Sequence, residues 1–217
     1  MNLSLSISRF SLQQFLLAVV FGLLSLSAQA QETLPPDTLV KNVTLEVIEL
    51  ISKDKELQSG NQKRMVELIE AKVLPHFDFT AMTRLAVATN WDKANAEQKK
   101  LLTDEFRTLL VRTYSSALAS YRDQKFDFRP LRAKPTDTDV TVQVRIIQRG
   151  AEPVTLDYDM AKSASGWKVY DMRVAGVSLV ANYRTEFANE IRNNGVDGLI
   201  KSLASKNKGP APRAERK

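Results

Sequence analysis

The hydrophobic period of the chain changes from 3.6 to 2 between Tyr121 and Phe126 and returns to 3.6 after Ser178. Before that point apolar residues recur at helical spacing: Val40, Val43, Val47, Ile48 and Ile51, then Met65, Val66, Ile69 and Val73, then Phe77, Phe79, Met82 and Leu85. After it they alternate with polar residues: Phe126 and Phe128; Val140, Val142, Val144 and Ile146; Val154, Leu156, Tyr158 and Met160; then a run from Trp167 to Val174. Helical spacing commits a segment to burying one stripe, and strict alternation commits it to burying one face of a sheet. Helices followed by strands therefore predict an α+β domain. Its sheet is expected to be antiparallel, four-stranded and curved, with helices on one face and a polar face in water. Arg149-Gly150 and Ser163–Gly166 supply the turns of that meander.

Local signals set the element ends. Pro35-Pro36-Asp37 opens the first helix with Asp37 as N-cap, and Ser59-Gly60-Asn61 breaks it. Leu74-Pro75 ends the second, because the residue before proline is pushed out of the helical region. A short third helix spans Asp78 to Ala88. Asn95 with Gln98 reads as a capping box. It opens the longest helix, Ala96 to Tyr121, with Leu102, Phe106, Leu109, Leu110, Thr113, Ala117 and Tyr121 as its apolar stripe. Lys99, Asp104, Arg107, Thr108, Ser115 and Arg122 are expected in solvent. Ser178 is expected to cap a last helix with Leu179, Val180, Tyr183, Phe187 and Ile191 inward, closed at Asn194-Gly195. One or two further turns follow from Asp197 to Leu203. No internal repeat is present.

The two ends read differently from the body. Arg9, the apolar run from Phe15 to Leu26 and Ala28-Gln29-Ala30 have the layout of a signal peptide, residues 1–30, cleaved after Ala30. The run is short for a bilayer span. The expectation is a periplasmic chain whose domain covers 31–205. Of the net +6, Arg9 carries one charge and the last twelve residues carry +4, so the body is about +1. Residues 206–217 read as a basic disordered tail. A nearly neutral body does not suit nucleic acid. The chain has no cysteine, which removes thiol catalysis and thiolate metal sites.

Catalytic constellations are scarce. His76 is the single histidine and has no adjacent nucleophile motif. Zinc would need carboxylates for nearly all its ligands, and no metal site or cofactor is expected. Asp157 and Asp159 alternate with apolar positions and so point outward. Asp171 lies on a strand with bulky residues on both faces; with Tyr170 or Tyr158 it offers the alternative of a small cavity enzyme, an isomerase or hydratase. A partner-binding module with a filled core and no ligand is a third reading. No glycine-rich phosphate loop occurs. The segment from Trp167 to Ile200 is rich in pattern and poor in chemistry, which points to an apolar ligand.

A series of motifs carries a resemblance. These are Leu74-Pro75 with Phe77, Trp91, Glu105-Phe106 through Leu109-Leu110, Thr113-Tyr114, Leu118 and Tyr121. Trp167, Tyr170-Asp171-Met172, Gly176-Val177-Ser178, Tyr183, Phe187 and Gly195-Val196-Asp197-Gly198-Leu199 follow. In this order they resemble the MlaC family, also called the toluene-tolerance auxiliary family, the phospholipid-binding component of the maintenance of lipid asymmetry (Mla) pathway. The likeness runs from about Asp37 to Leu203. Ala88 stands where the family usually has glycine, and Ala96 where it commonly has proline.

The resemblance implies a non-enzymatic soluble carrier, a monomer. It would move glycerophospholipid between an outer-membrane lipoprotein–porin complex and an inner-membrane ABC transporter complex with its lipid-binding hexamer. The acyl chains would lie between sheet and helices. Each methylene removed from water is worth ~0.8 kcal/mol, so two chains of about fourteen methylenes would cost roughly 20 kcal/mol if left wet. Such a carrier must enclose both tails and need not grip the headgroup. The expected lining is Leu74, Phe77, Met82, Leu85, Phe106, Leu110, Tyr114, Val142, Val144, Leu156, Tyr158, Met172, Val177 and Leu179. Met82, Met160 and Met172 suit varied chains because the thioether side chain adapts its shape.

Overall fold

Cap and turn signals decide where the helices begin and end. The computed structural model describes residues 34–119 and 124–209, with backbone only for 116–119. The expected signal peptide, Tyr121, Arg122 and most of the basic tail lie outside the described residues. Helix α1 is Pro36–Lys53, begun by proline in its first turn. Asp37 sits inside that turn and accepts a bond from the Thr38 amide at 2.9 Å. The helix ends earlier than Ser59-Gly60-Asn61, because the Asp54 side chain caps a separate short helix, α2 (Lys55–Gln58). Asn61 caps α3 (Gln62–Lys72) through the Arg64 amide. Leu74–His76 then forms a 3-10 turn.

Asp78 caps α4 (Phe79–Val87), accepting from the Ala81 amide at 2.9 Å. The capping box forms as expected: Asn95 Oδ1 accepts from the Gln98 amide at 2.8 Å, and Gln98 Oε1 accepts from the Asn95 amide at 3.0 Å. It opens α5, Ala96–Ala119. Ser115 corrects one expectation. It is buried in α5, 1% exposed, and accepts a hydrogen bond from Gln62 Nε2 at 2.6 Å. Helix α5 buries two sides, so a single-stripe reading fails there.

The sheet has five antiparallel strands in chain order, one more than expected: β1 (Lys125–Phe128), β2 (Asp139–Ile147), β3 (Val154–Ser163), β4 (Gly166–Val174) and β5 (Val177–Ser178). The fifth was read as the cap of a helix. Ala175 (φ 50°) and Gly176 (φ 81°) make a tight turn that sends two residues back along β4. Ser178 Oγ accepts from the Ala181 amide at 2.8 Å, just ahead of the 3-10 turn Ala181–Tyr183. The last helix, α6, is Arg184–Lys208, broken but not ended at Gly195 (φ 69°).

A β-bulge resolves the ambiguity of β4. Asp159 pairs with Asp171, but Met160 pairs with Val169, so Tyr170 is an extra residue. Without it, Val169 and Met172 would face opposite sides. With it, Trp167, Val169, Met172 and Val174 all face the same way as Tyr158 and Met160, and the sheet bends.

Apolar residues gather in three clusters. Met82, Leu102, Phe106, Leu109, Phe187, Leu199 and Leu203 close α4, α5 and α6 on one another. Val47, Ile51, Leu57, Met65, Ile69 and Val111 join α1, α2 and α3 to α5. Val140, Val142, Val144, Met160, Trp167 and Val169 cover the sheet's inward face with Val40 of α1. Helix α1 thus lays its first turns on the sheet and its later turns on α3.

Candidate functional site

The helical layer and the sheet meet along a seam. Helix α5 packs principally on α3, α4 and α6, while the sheet receives α1, α4 and the Leu74–His76 turn. Phe77 is the described residue that packs against both the helical and the sheet clusters. Its backbone pairs beside Val169, the Asp78 amide donates to the Val169 carbonyl at 2.9 Å, and Lys168 Nζ donates to the Pro75 carbonyl at 2.6 Å. Two hydrogen bonds therefore hold the turn against β4.

Away from that seam the inward face is open. Val140, Val142, Val144, Met160, Trp167 and Val169 are closed off. Phe126, Phe128, Ile146, Leu156, Tyr158, Met172 and Val174 face inward by register, yet each keeps part of its surface accessible. A core packed to ordinary protein density would leave little of such a face accessible.

Tyr158 reports on this space most directly. It sits between Val142 and Met172 on neighbouring strands. Burial pushes its hydroxyl up to about 12. Even so, its side chain is only half-buried by surface, and among the described residues its hydroxyl has no hydrogen-bond partner. That accessible surface lies on the apolar inward face of the sheet. The Tyr170 hydroxyl, by contrast, donates to Asp139 at 3.0 Å.

The expected lining residues distribute unevenly. Leu156, Tyr158 and Met172 lie on the open part of the inward face, and Phe77 stands at its seam. Val142 and Val144 lie on the closed part, at 2% and 1% exposure. Met82, Phe106 and Leu110 are sealed in the helical cluster, with Leu85 and Tyr114 at its edge. Leu74 packs on the α1–α3 cluster. Leu179 is buried, and Val177, at the β4–β5 turn, is 49% exposed. Sequence reasoning left out Phe126, Phe128, Ile146 and Val174, although their alternation with polar neighbours was a sufficient signal.

The carboxylates are not aimed into this space. Asp157, Asp159, Asp171 and Arg173 belong to the opposite face. Arg173 bridges Asp157 at 3.5 Å and Asp159 at 2.8 Å, and Thr141 donates to Asp159 at 2.7 Å. Asp159 was expected in water; it points outward but is only 7% exposed, roofed by Arg173. Asp171 accepts from Ser178 Oγ at 2.5 Å, the Met172 amide at 2.8 Å and the Val180 amide at 3.3 Å. Those bonds spend its lone pairs on the β4–β5 turn, and Tyr158 lies on the other side of the sheet. The Tyr170 hydroxyl donates to Asp139 instead, so among the described residues Asp171 is hydrogen-bonded to neither tyrosine. Burial and Lys168 lower the pKa of His76, with Glu46 opposing, and among the described residues its ring makes no hydrogen bond.

No described group of His, Asp and Glu could hold a metal ion, and no described helix is long and apolar enough to cross a membrane. Two surface clefts, one among Asp54, Lys55, Arg64 and Glu67 and one among Arg129, Arg132, Asp137 and Asp139, are lined mainly by polar and charged side chains. Neither suits an apolar ligand.

Comparison with known proteins places the chain among relatives. The family model described as MlaC protein matches residues 41–205. The intermembrane phospholipid transport system binding protein MlaC of Haemophilus influenzae is 26% identical over 155 residues, 70% of this chain and 72% of that protein. Toluene tolerance protein ttg2D of Pseudomonas putida is 23% identical over 182 residues, 83% and 82% of the two chains. A phospholipid-binding protein from Ralstonia solanacearum, solved in complex with a phospholipid, superposes with a TM-score of 0.73 at 38% identity, covering 79% of this chain and 96% of that one.

Proposed function

The chain belongs to the MlaC protein family, and on that premise we propose that it is a phospholipid carrier whose acyl-chain pocket is the open inward face of the sheet. The observation that carries this reading is the inward-facing apolar stretch from Phe126 through Leu156 and Tyr158 to Met172, which keeps accessible surface inside the fold. The phospholipid complex of the similar Ralstonia protein supports the ligand class.

The pocket is bordered by Leu156, Tyr158, Met172 and Phe77, with Leu74, Leu85 and Tyr114 at the helical edge. Met82, Phe106, Leu110, Val142, Val144 and Leu179 serve as its backing. A pocket of this kind holds acyl chains by excluding water and leaves the headgroup in solvent, so no convergent charged cluster is required. The carrier is a periplasmic monomer without enzymatic activity. It takes glycerophospholipid between an outer-membrane lipoprotein–porin complex and an inner-membrane ABC transporter, and energy enters through the transporter.

Native mass spectrometry of the purified mature protein, followed by organic extraction, tests the reading. A stoichiometric phospholipid adduct is expected, and its mass counts the chains. A bare polypeptide mass from protein made in a lipid-rich periplasm would overturn it.

A further inference from the structure

Apart from its two chains and its headgroup, a glycerophospholipid carries polar atoms only at the chain linkages. The pocket walls supply one isolated polar group, the Tyr158 hydroxyl, flanked on the sheet by Val142 and Met172. Once acyl chains cover this face the hydroxyl loses its water, and a polar group enclosed in apolar surroundings needs a partner, which the lipid itself would have to supply. Tyr170 has its partner in Asp139; among the described residues Tyr158 has none. The hydroxyl retains its proton throughout the neutral range, so it can serve as a donor.

We propose that Tyr158 donates a hydrogen bond to an ester carbonyl oxygen of the bound lipid, so that the pocket prefers ester-linked over ether-linked glycerophospholipid. The inference rests on the carrier reading above and adds a selecting contact to it. A carbonyl is the strongest acceptor the linkage region offers, and an ether oxygen accepts more weakly. The contact also fixes how deep the lipid sits. With the glycerol held at the centre of β3, the tails extend along the inward face and the headgroup is directed towards its margin.

The test uses full-length mature protein incubated with vesicles holding equal amounts of diester and diether phosphatidylglycerol of matched chain length, with loading read by native mass spectrometry. Wild type is expected to take up the ester in about fivefold excess, the scale of one net hydrogen bond. Tyr158→Phe removes only the hydroxyl, leaves no protein partner stranded, and should load both lipids equally, with uptake of the ester lowered to the level of the ether. Leu45→Ala, on the exposed side of α1, should keep the ester preference. Equal loading by wild type overturns the inference and leaves the carrier reading standing. So does a preference that persists in Tyr158→Phe or vanishes in Leu45→Ala. Wild type that takes up neither lipid overturns both.

Discussion

Phe106 in α5 and Tyr158 in β3 are both aromatic rings in the interior of the fold, and their surroundings differ. Phe106 has no accessible surface, with Tyr183 and Phe187 edge-on at 5.1 and 5.2 Å. Tyr158 keeps accessible surface and an unpartnered hydroxyl. The helical core fills its volume with its own side chains, so its burial energy is spent on folding. The inward face of the sheet leaves apolar area uncovered, and that area is available to a ligand. A carrier needs both: a frame that stays folded when empty, and a surface that the frame does not consume.

Substitutions can break the contrast. Phe106→Ala should cost about 3–5 kcal/mol, since a sealed aromatic leaves a cavity that cannot collapse; thermal unfolding would show it as a large fall in Tm. Val144→Glu, at the closed part of the sheet, should be comparably damaging because it buries a charge without a partner. Leu156→Arg behaves differently if the open face is real. It pairs directly across from Val144, yet it is half-exposed and its new charge can reach water. It should cost about 1 kcal/mol of stability while reducing retained phospholipid at least tenfold, on the order of the burial energy of a few methylenes. A folded Leu156→Arg protein with unchanged lipid content would sink the pocket assignment.

A smaller effect separates strain in the helical layer from lipid binding. Ala88 adopts φ 53° and ψ −131°, a region that favours glycine. Ala88→Gly should raise stability by about 1 kcal/mol, measured by urea unfolding, with no change in lipid loading.

The smallest expected effect lies on the polar face. Burial raises the pKa of Asp159 above its ordinary 3.8, with Thr141 and Arg173 opposing. A group with a raised folded-state value contributes stability that is present below pH 3.8 and is lost as pH rises through the folded value. Wild type should therefore gain stability relative to Asp159→Asn as the pH falls through this window. A difference that shrinks instead would show that the ion pair with Arg173 dominates.

Much of the fold was legible because its signals are local. The capping box at Asn95 and Gln98, the stop at Leu74-Pro75 and the period-2 strands each depend on residues a few positions apart. The misread elements depended on partners far along the chain. Ser178 has the look of a helix cap in either structure; the Asp171 carboxylate and the β4 edge turn it into a strand residue first. Ser115 reads as solvent-facing until Gln62 arrives from α3. In the candidate site, Leu156, Tyr158 and Met172 could be placed on an inward face by alternation, whereas Phe106 and Met82 were assigned to the pocket although they are sealed among helices.

Sequence alone determined the α+β class, the order of layers, the turn positions and the family likeness, because hydrophobic period and capping chemistry are properties of neighbouring residues. Tertiary structure decided which apolar surface is filled and which stays open. Periodicity states that a side chain points inward; it carries no information on whether another side chain meets it there. That depends on the spacing between layers, which is set by Phe77 and the Lys168–Pro75 contact at the seam and by the extra residue Tyr170 in β4.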